Sequence, residues 1–195
     1  MGGWIFLAII IAAIVFTISV YNRLIALRNR FRNAFAQIDV QLQRRHDLIP
    51  NLVESAKAYM AHEANTLSAV VEARSAAMGA RKAASGHPED GGAVAALGKA
   101  ESMLSGALAN FMALSENYPQ LRANENVAQL MEELSSTENR IGFSRQAFND
   151  AVMTYNTYRE QFPNNMIGGL FGKFDEAQLL EIESAEARTV PKVAF

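Results

Sequence analysis

Hydrophobic and polar positions divide the chain into one uninterrupted apolar run followed by stripes of helical period. From Trp4 to Val20 there is no charged residue, and Ile, Leu, Ala, Val and Phe dominate. About eighteen helical residues span ~27 Å, slightly less than the ~30 Å thickness of the bilayer hydrocarbon. Continuing through Leu24 to Leu27 makes up the difference if Arg23 snorkels to the surface. Trp4 and Tyr21 stand near the two ends, where interfacial aromatics are favoured. A cleaved signal peptide fits less well, because the opening Met1 to Trp4 lacks a basic region and no small-x-small site precedes Tyr21. Residues 1–22 are therefore expected to be a retained transmembrane anchor.

From Tyr21 to Glu63 the apolar positions change to helical spacing: Leu24, Leu27, Phe31, Ala34/Phe35, Ile38, Leu42, Leu48/Ile49, Leu52, Ala56 and Tyr59/Met60. Arg45 interrupts this stripe. A buried charge is costly unless paired, so Arg45 calls for a carboxylate elsewhere in the chain. Pro50 either kinks the helix or opens a second one, and the second run extends from about Asn51 to Ala84. Ser85 to Gly92 is a loop, and Ala93 to Tyr118 the next helix, with Leu97, Leu104, Leu108 and Phe111 on one face. Tyr118-Pro119 breaks it, and Asn124 or Asn126 is placed to cap the last long helix.

The cleanest period lies between Glu125 and Gln161. Val127, Leu134, Ile141, Phe148, Tyr155 and Phe162 recur every seven residues, with smaller Thr137, Ser144 and Ala151 in the companion series. Beside this seam lies Glu138, the candidate partner for Arg45. Phe162-Pro163 ends the helix. Met166 to Phe174 reads as a glycine-rich apolar loop presenting Leu170, Phe171 and Phe174, residues 175–187 as a short acidic amphipathic helix, and Thr189 to Phe195 as extended. The expected fold is all-α: a single N-terminal transmembrane helix, then an elongated antiparallel bundle of three to four long helices over 23–162. Residues 163–195 add the loop and acidic tail.

Several of these stretches resemble the LemA family of membrane proteins. Arg28-Asn29, Gln37 to Leu42, Arg44-Arg45, Asp47 to Glu54 and Ala61-His62-Glu63 look like its signature. Similar to it as well are Tyr118-Pro119 with Leu121 and Ala123-Asn124, Thr137 to Ile141, Phe148-Asn149, Tyr155-Asn156, Phe162-Pro163, Phe171-Gly172 and the ending Pro191 to Phe195. The resemblance covers nearly the whole chain. It implies a membrane protein, and one of a kind associated with membrane proteases of envelope quality control. Its extension to the last residues implies that the tail docks somewhere instead of fraying.

Charge refines the location. The net charge of −2 over 195 residues gives no nucleic-acid footprint. Six arginines lie between Tyr21 and Arg45 against Asp39 alone, whereas five acids follow from Asp175 onward against Arg188 and Lys192. Arg23, Arg28, Arg30 and Arg32 closely follow the span, so the positive-inside rule places the C-terminal domain in the cytoplasm and the N-terminus outside, in a bacterial plasma membrane. Each of these arginines near anionic headgroups adds roughly 1 kcal/mol of attraction.

Catalytic chemistry finds little support. His62-Glu63 begins like a zinc-protease helix, but Thr66 occupies the position of the second histidine. His46 and Asp47 point about 100° apart on a helix and make no dyad; a polar face or a surface hydrogen bond is the expectation for His46. Gly168 to Lys173 lacks phosphate-loop spacing, with Phe174 where a magnesium-binding Ser or Thr would stand. Without cysteine there is no thiol chemistry. The expectation is a non-enzymatic protein without cofactor or metal. Its partners would be the lipid bilayer and further copies of itself, with Leu170, Phe171 and Phe174 as contacts. The alternative is an adaptor for another membrane protein.

Overall fold

The computed structural model describes residues 2–171 and 174–182, and the chain is helical over most of them. Helix α1 runs from Gly2 to Lys57, α2 from Ala64 to Gly86, α3 from Gly91 to Ser115, α4 from Pro119 to Arg122, α5 from Glu125 to Glu160 and α6 from Asn164 to Phe171. There is no strand among the described residues.

Two chemistries share α1. Up to Phe16 its side chains are exposed on every face although nearly all are apolar, as expected of a helix meant for lipid. This is the one stretch among the described residues long and apolar enough to cross a membrane. From Val20 onward a single face is buried: Val20, Leu24, Leu27, Phe31, Phe35, Ile38, Leu42, Arg45, Ile49, Leu52 and Ala56. Pro50 does not end the helix. A proline lacks the N–H that would bond to the carbonyl four residues back, here His46, and that carbonyl instead accepts from Arg74 Nε–H at 2.6 Å.

The expected helix from Asn51 to Ala84 is two pieces, α1 and α2, separated by a turn at 58–63. Met60 is buried in that turn, and seven residues on Leu67 resumes the stripe, so the heptad phase passes unbroken through a chain reversal. The reversal returns α2 alongside α1, where Arg81 pairs with Asp39 at 2.9 Å. Asp90 caps α3 by accepting from the N–H groups of Gly92 and Ala93, and Asn124 caps α5 through Asn126 and Val127. Contacts between α1 and α5 run in opposite order along the chain: Phe31 meets Tyr155, Phe35 meets Phe148, and Arg45 meets Glu138.

Two further expectations are corrected. The apolar segment after Pro163 is helix α6 over most of its length, with Gly168 facing Leu24 and Arg159. Residues 174–182 are extended rather than helical. Their backbone is satisfied by side chains of α5 instead of by its own turns. Asn156 bonds both the N–H and the C=O of Ala177, Asn149 does the same for Leu180, and Tyr155 O–H donates to the Asp175 carbonyl. Arg145 holds the Ile182 carbonyl. The expected extended stretch from Thr189 lies outside the described residues, as does the rest of the tail.

Candidate functional site

Two hydrophobic clusters lie along the helical body. One gathers Val20 to Leu42 with Ile141 to Tyr155 and the segment 174–182; the other gathers Ile49 to Met60 with Leu67 to Ala77, Leu104 to Phe111 and Val127 to Leu134. Between them sits a charged layer. Arg45 and Glu101 are 1% and 0% exposed, and Arg45 donates to Glu101, to Glu138 and, at 3.1 Å, to Ser105. The other Glu101 oxygen accepts from His46 Nε2–H at 2.9 Å. Burial pushes the Glu101 carboxyl up, but the His46 hydrogen bond and the Arg45 charge outweigh it and hold it below the usual carboxylate value.

The expected pairing of Arg45 with Glu138 is thus present, although Glu138 is 45% exposed and forms the solvent side of the layer. The deeper partner, Glu101, was missed by sequence reasoning. Its signal is of the same kind as Arg45's: Glu101 lies between Leu97 and Leu104 on the apolar face of α3, where a leucine would continue the stripe. His46, expected on a polar face, is fully buried. Its Nδ1 is buried without a hydrogen-bond partner among the described residues. Chemically the layer is an ion-pair lock joining α1, α3 and α5. A charge displaced by one helical turn would be left unpaired, so the layer fixes register.

The four arginines assigned to the membrane surface divide. Arg23 and Arg30 are exposed. Arg28 lies over the Phe174 ring, 5.6 Å from its centroid, and Arg32 pairs with Glu89 in the loop between α2 and α3. Phe174, expected at a contact between chains, is buried in its own chain, edge-on to Tyr21 with centroids 5.4 Å apart. Its apolar surface is already covered by α1. The side chains of Leu170 and Phe171 lie outside the described residues.

The segment 174–182 is the second built feature. Asn149 and Asn156 are seven residues apart, two turns on one face of α5, and each holds both the N–H and the C=O of one residue. Neighbouring Phe148 and Tyr155 turn into the core. Against α3 the segment passes so close that a Cβ at Gly98 would collide with the Glu181 carbonyl oxygen.

The LemA family matches residues 34–195, which contain the whole charged layer and the asparagine clamp. This chain belongs to the LemA family. Among curated proteins, the magnetosome protein MamQ of Magnetospirillum gryphiswaldense is 26% identical over 170 residues, 78% of this chain and 61% of MamQ. The magnetosome protein MamQ 2 of Paramagnetospirillum magneticum is 26% identical over 184 residues, 85% of this chain and 66% of its own length. The LemA chain thus spans somewhat under two thirds of these relatives.

Proposed function

We propose that this LemA protein is a membrane-anchored helical scaffold that assembles with copies of itself at the cytoplasmic face of a bacterial plasma membrane. In this reading α1, α2, α3 and α5 form one elongated antiparallel bundle, and its work is mechanical, supporting or shaping the membrane under envelope stress, with no catalysis. The observation that carries it is the continuity of α1, 56 residues of unbroken helix from the apolar run into the core. At 1.5 Å per residue that is a rod of ~84 Å. A rod without a joint hands any lateral contact of the body directly to the span. Anchoring also confines copies to a plane, where weak contacts add up through avidity. The names of the relatives, magnetosome proteins, agree with a role at one particular cell structure, and a magnetosome role is the narrower form of the same proposal.

The test is the mass of the full-length chain in nanodiscs or mild detergent over a range of concentrations. A large, discrete mass that does not change with dilution is the expected result. A monomer or dimer would overturn the scaffold. That outcome would favour an adaptor for another membrane protein, for which Phe143 on α5, 75% exposed, is the natural anchor.

A further inference from the structure

We propose that α6 is a second membrane contact, an interfacial helix lying among the lipid headgroups beside the end of the span. This rests on the reading that Trp4 to Val20 crosses a bilayer, and it adds a lipid-binding surface more than 140 residues later in the chain.

The argument is one of height. Gly168 of α6 packs against Leu24 of α1, where an added Cβ would stand 3.9 Å from Leu24 Cδ1. Leu24 is four residues beyond Val20, ~6 Å along the helix axis. The headgroup layer outside the hydrocarbon is itself about 5–8 Å deep on each side. The run to Val20 is ~27 Å against ~30 Å of hydrocarbon, so an element packed at Leu24 lies at the boundary of hydrocarbon and headgroups. Ile167 also packs against the cluster that contains Val20 and Leu24.

The composition of α6 suits that place. Asn164 to Phe171 carries no charge. Met166 is 64% exposed, and Phe162, just before the helix, is 80% exposed. A short surface helix in water keeps its outward face polar; at the boundary of headgroup and acyl chain an outward Phe and Met are stabilised by burial. Arg23, exposed one residue from Leu24, puts a cation at the same height. Asn165, Gly168 and Gly169 of α6 share a cleft with Arg159, Glu160, Phe174 and Asp175, so one side of the helix borders charged residues. A single span is free to rotate about its own axis. A second contact on one side removes that freedom and decides which faces of the body meet neighbours in the plane.

The chain has no cysteine, so single nitroxide labels can be placed at will. The full-length protein would carry Met166→Cys or Phe162→Cys, with Ile11→Cys in the span and Val71→Cys on α2 as references. Collision with oxygen and with a water-soluble nickel chelate would be measured in phosphatidylcholine–phosphatidylglycerol nanodiscs. The expected result is an oxygen-to-nickel ratio at 166 and 162 several-fold above that at 71 and approaching that at 11. Nickel access at 166 and 162 equal to that at 71, with site 11 still protected, would overturn the proposal alone. If site 11 were also open to nickel, the spanning reading would fall with it. All four side chains are exposed, so unchanged helicity and melting of the labelled chains are expected and serve as the folding control.

Discussion

On the membrane side of the charged layer, Phe31 meets Phe148 and Tyr155 edge-on, Phe35 meets Phe148, and the extended segment 174–182 closes over them. On the far side the core is Leu, Val, Ile, Ala and Met60, with Phe111 its one fully buried ring among the described residues. Grooves open in both halves, about 370 Å³ beside Val53, Leu67 and Val71 and about 550 Å³ beside Asn149 and Leu180. The near half is sealed by segments distant in sequence, α1 with α5 and the tail. The far half adds a turn corner, where Tyr118 O–H donates to Glu63 and Asn124 donates to Tyr59. Local opening is easiest where few large contacts must break at once. The contrast teaches how each half is closed: by contacts distant in sequence on the side of the apolar run, and with the help of a turn corner at the far end.

The charged layer is where the two halves can be uncoupled, and it gives the largest expected effect. Glu101→Leu leaves Arg45 and His46 buried without their shared carboxylate and should cost about 3–5 kcal/mol in denaturant unfolding. Adding Arg45→Met should recover part of that loss, because the buried cation is gone while His46 stays buried without its acceptor. A Glu101→Leu protein as stable as the parent would remove the layer from the account. The same carboxylate predicts an acid limit. Since the fold holds Glu101 below its ordinary value of 4.5, its ionisation stabilises the folded state above that pH. This contribution fades as pH falls from about 4.5 through the depressed folded value. Glu101→Gln should flatten that part of the stability profile.

Gly98→Val should affect the near half alone. Its side chain needs the space of the Glu181 backbone, and overpacking of this kind costs about 1–3 kcal/mol. Hydrogen exchange should rise across 174–182 while α2 and the far core are unchanged. Smaller again are Asn149→Ala and Asn156→Ala, each about 1–2 kcal/mol for a lost pair of backbone bonds. The Leu180 amide should lose protection in the first and the Ala177 amide in the second.

The smallest expected effect lies at the proline. Arg74→Met orphans the His46 carbonyl and should cost about 1 kcal/mol, whereas Pro50→Ala supplies the missing N–H and makes Arg74 dispensable. A double-mutant cycle that shows no coupling between these positions would separate them.

Much of this was legible in the sequence. The apolar run, the stripe of α1 and the heptads of α5 come directly from residue spacing, and Arg45 announced itself by breaking a stripe. The turn at 58–63 was hidden because Met60 and Leu67 keep the seven-residue phase across it. Glu101 breaks the stripe of α3 in the same way, and His46 shares a buried face with Ile49 and Val53 although exposed Asp47 adjoins it. The tail was unreadable for a different reason. Its extended conformation is set by asparagines some thirty and twenty residues earlier, and local propensity carries no trace of such a clamp. The pairs Phe148-Asn149 and Tyr155-Asn156 could have suggested it: a ring for the core beside an amide for a backbone, repeated after two turns.

The central claim is that span and body are one rod. It is tested most directly by a pulsed-EPR distance in nanodiscs between labels at Ile14→Cys, within the span, and Gln37→Cys, on the exposed face beyond it. Twenty-three helical steps predict a single narrow distribution near ~35 Å. A broad distribution, or one centred well short of that distance, would mean a joint between anchor and body and would contradict the account.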